Sequence, residues 1–158
     1  MLSIKNSGLM IITAFLFGCA APQPAKISIT PSGRPEATIR APIEQIKSAI
    51  ISEEVNYGYT VEKDTPYLLV LVRDVNGKEN TGIAMTIGNM YSNNSRTASY
   101  TFASEGGSVR VVASMALRAQ MPGGQVNTAD INDNGDVYNT YQKQLNDIKA
   151  RLEGAASK

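Results

Sequence analysis

Histidine is absent from this 158-residue chain, and cysteine occurs only once, as Cys19. Histidine is the commonest general base and the commonest metal ligand in proteins. Without it, zinc sites built from Cys and His are excluded, as are Ser-His and Cys-His nucleophile pairs. A single cysteine cannot form a disulfide within the chain. We therefore predict a protein that is not an enzyme and that carries no metal or other cofactor.

An excess of charge of one sign is also lacking, because 15 Lys and Arg residues balance 14 Asp and Glu residues. A nucleic-acid partner is therefore not expected, since such proteins concentrate positive charge. Long apolar runs are missing too. The stretch from Leu9 to Phe17 is apolar apart from Thr13. It has about half the 20 or so residues that a membrane-spanning helix needs.

This short apolar run has the layout of a secretory signal. Lys5 precedes the run, and Leu16-Phe17-Gly18-Cys19 ends it. A cysteine directly after a small residue resembles the lipobox of bacterial lipoproteins. The resemblance implies that the Cys19 thiol receives a diacylglyceryl group and that a peptidase cleaves after Gly18. It also implies attachment to the outer membrane, facing the periplasm, because Ala20 follows the cysteine.

The division of the chain follows from this signal. Residues 1–18 are the predicted signal peptide. Residues 19–34 start with the lipidated cysteine and contain several prolines, as expected of a tether. Residues 35–154 are long enough for one domain with a hydrophobic core but too short for two. Residues 155–158 are predicted to be a tail.

The first half of the domain contains one helix among strands. Residues 36–40 read as a strand, and Pro42 suits the first turn of a helix. The helix has an apolar stripe, followed by Gly58, which suits a helix end. The predicted stripe is Ile43, Ile46, Ile50 and Tyr57; we expect Glu44, Lys47 and Glu54 to lie away from it.

Two strands follow, at 60–63 and 67–75. Residues 67–72 are apolar at every position, which predicts a central strand buried on both faces. Residues 78–97 show no regular pattern. We predict a loop there that either crosses the core or serves as an adaptable contact surface, since methionine suits such surfaces. Its apolar residues are the proposed interaction loop: Ile83, Met85, Ile87, Met90 and Tyr91.

The second half has the clearest strand pattern. Residues 98–103 and 108–118 alternate apolar and polar side chains around the turn Glu105-Gly106-Gly107. Residues 125–135 read as a polar loop. A final helix is predicted from a narrow apolar stripe, with Asp147 and Arg151 expected to pair one turn apart. The stripe is Val137, Tyr141, Leu145, Ile148 and Leu152.

This order of elements predicts an α+β fold with two layers. Short turns between strands favour a mainly antiparallel sheet, and the two amphipathic helices would cover one of its faces. The order is similar to that of helix-grip-like domains and of small domains in envelope lipoproteins. Residues 34–75 carry this resemblance, which is topological and implies no site residues.

Three groups of side chains have both a functional and a structural interpretation. Residues 130–135, Asp-Ile-Asn-Asp-Asn-Gly, match the first half of a calcium loop, but Tyr141 stands where the bidentate glutamate belongs. A solvated loop with Asp136 capping the last helix is the alternative. Arg110 and Arg118 either bind an anion or are outward surface charges. Glu53 and Glu54 are expected to diverge on a solvated helix face.

The function that follows is a non-catalytic interaction or scaffold module in the periplasm. The protein would be anchored to the membrane through the lipid on Cys19, and it would hold another envelope protein by a sheet edge or by the interaction loop. The alternative is a module that binds a lipid or other apolar ligand between the sheet and the last helix, motivated by the apolar strand at 67–72.

Overall fold

The structure is a computed structural model that describes residues 30–75, 93–120 and 123–155. Cys19 and the interaction loop therefore lie outside the described residues. In the described part, six strands and two helices follow one another along the chain. They are β1 (Glu36–Ile39), α1 (Ile43–Asn56), β2 (Thr60–Thr65), β3 (Leu68–Asp74), β4 (Asn93–Glu105), β5 (Ser108–Gln120), β6 (Val126–Asp130) and α2 (Gly135–Ala155).

All strand pairs of the described sheet are antiparallel, in the order β1-β5-β4-β3-β2. The long β4–β5 hairpin forms the centre of the sheet, with Gly106 and Gly107 at positive φ in its turn. β1 pairs with residues 109–112 of β5 and β6 with residues 116–120, so both lie on the same side of β5. The predicted α+β fold with a mainly antiparallel sheet is confirmed.

Both helices pack on one face of this sheet, where the hydrophobic core forms. Side chains in β5 alternate between buried and half-buried along its length, as the sequence pattern predicts for a strand with one covered face. Ile46 and Ile50 of α1 and Leu145 and Ile148 of α2 are fully buried. The sheet contributes Ile39, Leu69, Leu71, Ala98, Tyr100, Phe102, Val111, Ala113 and Met115.

β3 differs from the prediction of a strand buried on both faces. Leu69 and Leu71 are fully buried under the helices, whereas Leu68, Val70 and Val72 are only half-buried. β3 is nevertheless an internal strand, between β2 and β4. An apolar residue at every position thus reflects one fully buried face and one that is partly covered.

Two boundaries in the second half of the chain also differ. β4 begins at Asn93, so the predicted loop 78–97 ends in a strand whose polar residues pair with both β3 and β5. Residues 126–130, predicted to be loop, form β6. These residues are mostly exposed, so hydrophobic alternation is weak there. Backbone pairing to β5 holds the strand in place instead.

The helix ends are set by capping residues. Helix α1 begins directly after Pro42, whose carbonyl accepts the Gln45 and Ile46 amides, so the proline precedes the first turn. It ends at Asn56 with Tyr57 as the C-cap, and Gly58 directly beyond has φ +83°, the left-handed conformation predicted for it. Helix α2 is capped by Asn134, whose side-chain oxygen accepts the amides of the second and third helical residues, and not by Asp136.

The buried stripe of α1 contains charged residues that the sequence placed outside it. Lys47 is 4% exposed and joins α1 to the end of β2, donating to Asp64 (Nζ–Oδ1 2.6 Å) and to the Thr65 carbonyl (2.7 Å). Glu54 is 1% exposed. Tyr57, predicted to continue the stripe, is instead 67% exposed. No helix in the described residues is both long and apolar enough to cross a membrane.

Candidate functional site

A cleft lies at one end of the helix–sheet interface in the described residues. Its volume is about 450 Å³. The C-terminal end of α1, the segment that leads into β2, the inner face of β3 and β4, and the first half of α2 surround it. The lining residues are Glu53, Glu54, Tyr57, Tyr59, Arg73, Arg96, Asp136, Val137, Thr140, Tyr141, Lys143, Gln144 and Asp147. None was predicted as a binding residue from the sequence.

Two arginines form the sheet side of the cleft. Arg73 of β3 and Arg96 of β4 occupy directly opposite positions in the antiparallel register. Both point to the helix-covered face, because they continue the alternation of the buried residues Leu71 and Ala98. The guanidinium carbon of Arg73 lies 5.5 Å from the centroid of the Tyr59 ring, a cation–π contact that orients its plane.

A buried hydrogen-bond cluster around Glu54 forms the inner wall. The Tyr100 hydroxyl donates to Glu54 Oε1, and Gln144 Nε2 donates to the same oxygen at 3.0 Å. Three elements, α1, β4 and α2, thereby meet at one carboxylate. Burial raises the pKa of Glu54, although the two hydrogen bonds and the charge of Arg73 oppose the rise. Burial also raises the pKa of Tyr100.

A second hydroxyl pair lies beside this cluster. The Tyr59 and Tyr141 hydroxyl oxygens are 3.2 Å apart. Burial is the main cause that raises the pKa of Tyr141, while the charge of Arg96 lowers it. Burial therefore favours the protonated form of the Tyr141 hydroxyl. One hydrogen is used within the pair, so the other is left to donate to a further acceptor.

Ion pairs border the cleft on the helix side. Lys143 contacts Asp147 within α2 (Nζ–Oδ2 2.6 Å), and Arg151 contacts Glu53 of α1 (Nη2–Oε1 3.0 Å). The prediction that Asp147 pairs with Arg151 was therefore wrong. Glu53 and Glu54 do diverge as expected, but only Glu53 lies on the surface.

Exposed apolar side chains flank the cleft residue Tyr59 along the chain. Val55, Tyr57 and Val61 are 54%, 67% and 45% exposed. They fall within the single stretch 55–61, which also contains the cleft residue Tyr59. Aromatic side chains that stay exposed beside a concavity are typical of protein-binding surfaces.

The calcium half-loop has its oxygens engaged within the protein. Asp130 Oδ1 accepts hydrogen bonds from the Asn132 backbone and side-chain amides. Asn132 Oδ1 accepts the Met115 amide at 2.9 Å, and Asn134 caps α2. The loop is thus built as a turn that joins β5, β6 and α2. In the described residues, no group of three or more His, Cys, Asp or Glu side chains is placed to hold a metal ion.

Arg110 and Arg118 lie on the outer face of the sheet, away from the helices. Arg110 pairs with Glu36 (Nη2–Oε2 2.6 Å) and Arg118 with Glu62 (Nη1–Oε1 2.9 Å). Both arginines are therefore outward charges with carboxylate partners, in line with the surface-charge alternative for them.

No protein-family model matches this chain, and neither does any curated protein sequence.

Proposed function

We propose that this protein is a lipid-anchored, non-catalytic binding protein of the bacterial envelope that holds a partner protein in the cleft. The lipid on Cys19 would attach it to the periplasmic face of the outer membrane. The cleft, more than a sheet edge, would be the docking site, because β2, an edge strand of the described sheet, is interrupted by a bulge next to Glu62 and Lys63. Such irregular, charged edges discourage strand pairing.

One observation carries the proposal of a protein partner. The cleft combines three tyrosines and two arginines in a concavity that borders the exposed apolar stretch 55–61. Tyr and Arg are the residues that dominate binding energy at protein interfaces, where they occupy well-packed and desolvated positions. Here Tyr59 is 6% exposed and Tyr57 is 67% exposed, so the tyrosines that line the cleft extend from the hydrophobic core to the surface.

The same geometry favours a binding role over catalysis and over an apolar ligand. The Thr140 hydroxyl, the only aliphatic hydroxyl in the lining, donates to the Asp136 carbonyl of its own helix at 2.7 Å, so its hydrogen is bound to the backbone and not to a side-chain base. An apolar ligand between sheet and helices would need the space that Ile50, Leu145 and Ile148 fill. Most of the surface exposed in the cleft is carbon, but Val137 is its one aliphatic lining residue, and the other carbon belongs to charged, polar and tyrosine side chains.

The anchor is tested by Cys19→Ser in the full-length protein expressed in bacteria. We expect the parent protein to incorporate radiolabelled palmitate and to sediment with membranes, because two or more acyl chains hold a protein stably at a bilayer. The variant should lose the label and appear in the periplasmic extract. A variant that keeps the label would disprove lipidation at Cys19.

The partner is tested by photo-crosslinking in intact cells. A benzophenone amino acid is introduced in place of Tyr57, at the cleft mouth, and separately in place of Tyr67, which is 71% exposed. Tyr67 directly precedes β3 and lies six residues before Arg73, about 20 Å away. We expect a discrete crosslinked protein from position 57 but not from position 67. Equal crosslinking from both positions, or none from either, would refute the cleft as the docking site.

A further inference from the structure

The described sheet ends in three edge strands, β1, β2 and β6, and the first two are protected against further pairing. Helix α2 covers the outer side of β1. The Gln142 side chain accepts the Glu36 amide at 3.0 Å and donates to the Glu36 carbonyl at 2.9 Å, as a neighbouring strand would. β2 contains a bulge beside the charged residues Glu62 and Lys63. Covered, bulged or charged edges discourage pairing with another chain.

β6 is the edge strand that lacks this protection. It pairs with β5 in continuous register, without a bulge, over all five of its residues. The stretch Val126-Asn127-Thr128-Ala129 contains neither charge nor proline, and its first three residues are exposed. Among the described residues, no other strand pairs with the outer side of β6. A regular, uncharged and exposed edge offers its backbone hydrogen-bonding groups to an added strand.

The hydrogen-bonding pattern between β5 and β6 indicates which backbone groups of β6 face outward. The Ile131 amide donates to the Met115 carbonyl at 3.1 Å, in the same register that continues through β6. Opposite residues of antiparallel strands exchange hydrogen bonds at every second position. Asn127 and Ala129 therefore bond to β5. The other three residues direct their N–H and C=O groups away from β5; they are Val126, Thr128 and Asp130.

This outward pattern is complementary to itself. Thr128 is the middle residue of β6, so a two-fold axis through it sets Thr128 opposite its own counterpart and Val126 opposite Asp130 of the second copy. Each pair can exchange two hydrogen bonds. Thr–Thr pairs across strands are favourable. Asp130 would face an apolar side chain and has Arg34 of its own chain as a partner (Nη2–Oδ2 3.5 Å), so no like charges are opposed.

We propose that β6 is a self-association edge, where β6 of a second copy of this chain pairs antiparallel about a two-fold axis through Thr128. This inference goes beyond the proposed function, because the pairing does not use the cleft. The sheets of the two copies would join into one continuous sheet. Stable interfaces bury at least about 1,200 Å², and a pair of short strands buries less. We therefore expect a weak association, which crosslinking captures.

The pairing is tested in intact bacteria that make two full-length copies with different affinity tags. Both copies carry Asn127→Cys, because position 127 lies diagonally across the axis from its counterpart, about 7–8 Å away. A short bismaleimide linker joins the thiols. Thr60→Cys, on the exposed but protected edge β2, is the matched control, and Cys19 is common to both variants. We expect a product with both tags from position 127 and only background from position 60. Equal yields, no product, or a product with another protein in place of the second copy would overturn the proposal.

Substitutions of Thr128 separate the pairing from the fold. Thr128→Pro removes an outward N–H from each copy, so it should lower the yield from position 127 at least about tenfold through loss of two hydrogen bonds. Thr128→Lys opposes two like charges at the axis and should also lower the yield, whereas Thr128→Val, the matched control, should preserve it. If the yield survives both Thr128→Pro and Thr128→Lys, pairing through β6 is wrong.

Urea unfolding of the full-length protein in detergent tests the outward direction of Thr128 separately. Because β5 does not use the Thr128 N–H, Thr128→Pro should leave the midpoint of unfolding unchanged. Ala129→Pro removes a hydrogen bond to β5 and should lower the midpoint. A midpoint lowered equally by the two prolines would contradict the outward direction of Thr128, and the proposed two-fold axis would fall with it.

Discussion

Glu54 offers the sharpest test of the reasoning applied to the cleft, because it is a buried carboxylate at the junction of three elements. It is 1% exposed, and its Oε1 accepts hydrogen bonds from Tyr100 and Gln144. Two substitutions separate its roles. Glu54→Gln keeps an oxygen for both donors and removes the charge, whereas Glu54→Ala removes the acceptor as well.

The expected cost of Glu54→Ala follows from what it leaves behind. The Tyr100 side chain is fully buried, so its hydroxyl would lose its main acceptor and could turn only to Gln144 Oε1, 3.4 Å away. An unsatisfied buried group costs about 1–3 kcal/mol. Loss of the buried methylene adds about 0.8 kcal/mol. We therefore expect Glu54→Ala to lower the free energy of unfolding by about 2–4 kcal/mol.

The effect of Glu54→Gln depends on pH. Burial raises the pKa of Glu54 in the folded state, so between the unfolded and folded pKa values the folded protein retains a proton that the unfolded chain has released. The stability contributed by Glu54 is therefore complete below the unfolded pKa and is lost as pH rises through the folded pKa. In that window the loss is at most about 1.4 kcal/mol per pH unit. Gln has no such loss.

Urea unfolding followed by far-ultraviolet circular dichroism, from pH 4 to pH 8 in detergent, measures both effects. Glu54→Gln should gain stability relative to the parent as pH rises, and Glu54→Ala should be less stable than Glu54→Gln throughout. In the Tyr100→Phe background, the cost of Glu54→Ala should shrink, because the stranded hydroxyl is gone. If Glu54→Gln is as unstable as Glu54→Ala at pH 7, the carboxylate is required as a charge and the reasoning is refuted.

Three further predictions concern the fold and use the same unfolding assay. Leu145→Ala, in the fully buried stripe of α2, should cost about 2–5 kcal/mol, whereas Val126→Ala on exposed β6 should change stability by less than about 0.5 kcal/mol; similar costs would contradict the core assignment. Asn134→Ala should cost about 0.5–2 kcal/mol through loss of the cap of α2, and no cost would contradict that cap. Burial would raise the pKa of Glu36, but hydrogen bonds from Ser32 and Arg110 outweigh it and lower that pKa. The stability that Glu36 contributes is therefore present above its unfolded pKa and lost as pH falls through its folded pKa. Arg110→Gln should reduce this loss of stability at acid pH. An unchanged loss in the variant would show that the ion pair does not contribute.

Elements with strong periodicity were predictable from sequence. The β4–β5 hairpin shows alternation on both sides of a Gly-Gly turn, and the register confirms it. The apolar stripe of α2 predicted Leu145 and Ile148, which are fully buried. In these segments burial is decided by local side-chain type, so the one-dimensional pattern contains the information. β6 lacked such a pattern because its residues are mostly exposed and its backbone pairing to β5 depends on another part of the chain.

The charged residues of α1 were predicted wrongly for a different reason. Lys47 and Glu54 fall at helical spacing with Ile43 and Ile50, so periodicity alone would have placed all four on one face. Their charge argued against burial, since charged side chains are rarely buried without partners. Asp64 and Tyr100 are those partners, and they lie on strands 17 and 46 residues further along the chain. The sequence therefore did contain a signal for the burial of Lys47 and Glu54, because both continue the helical spacing of the apolar residues without a break.

The cleft could not be predicted from the sequence, because it depends on the register of the β3–β4 strand pair. Arg73 follows a hydrophobic run and Arg96 follows a polar one, and nothing in either segment relates them. Only the pairing of β3 with β4 brings them opposite each other, on the face that the helices cover. Beyond the last apolar pair of that face, Leu71 and Ala98, the interface changes from core to charged cleft. The fold itself tolerates this change only with compensating partners. Arg73 and Arg96 therefore meet through the register of two strands, and no pattern within either strand records that meeting.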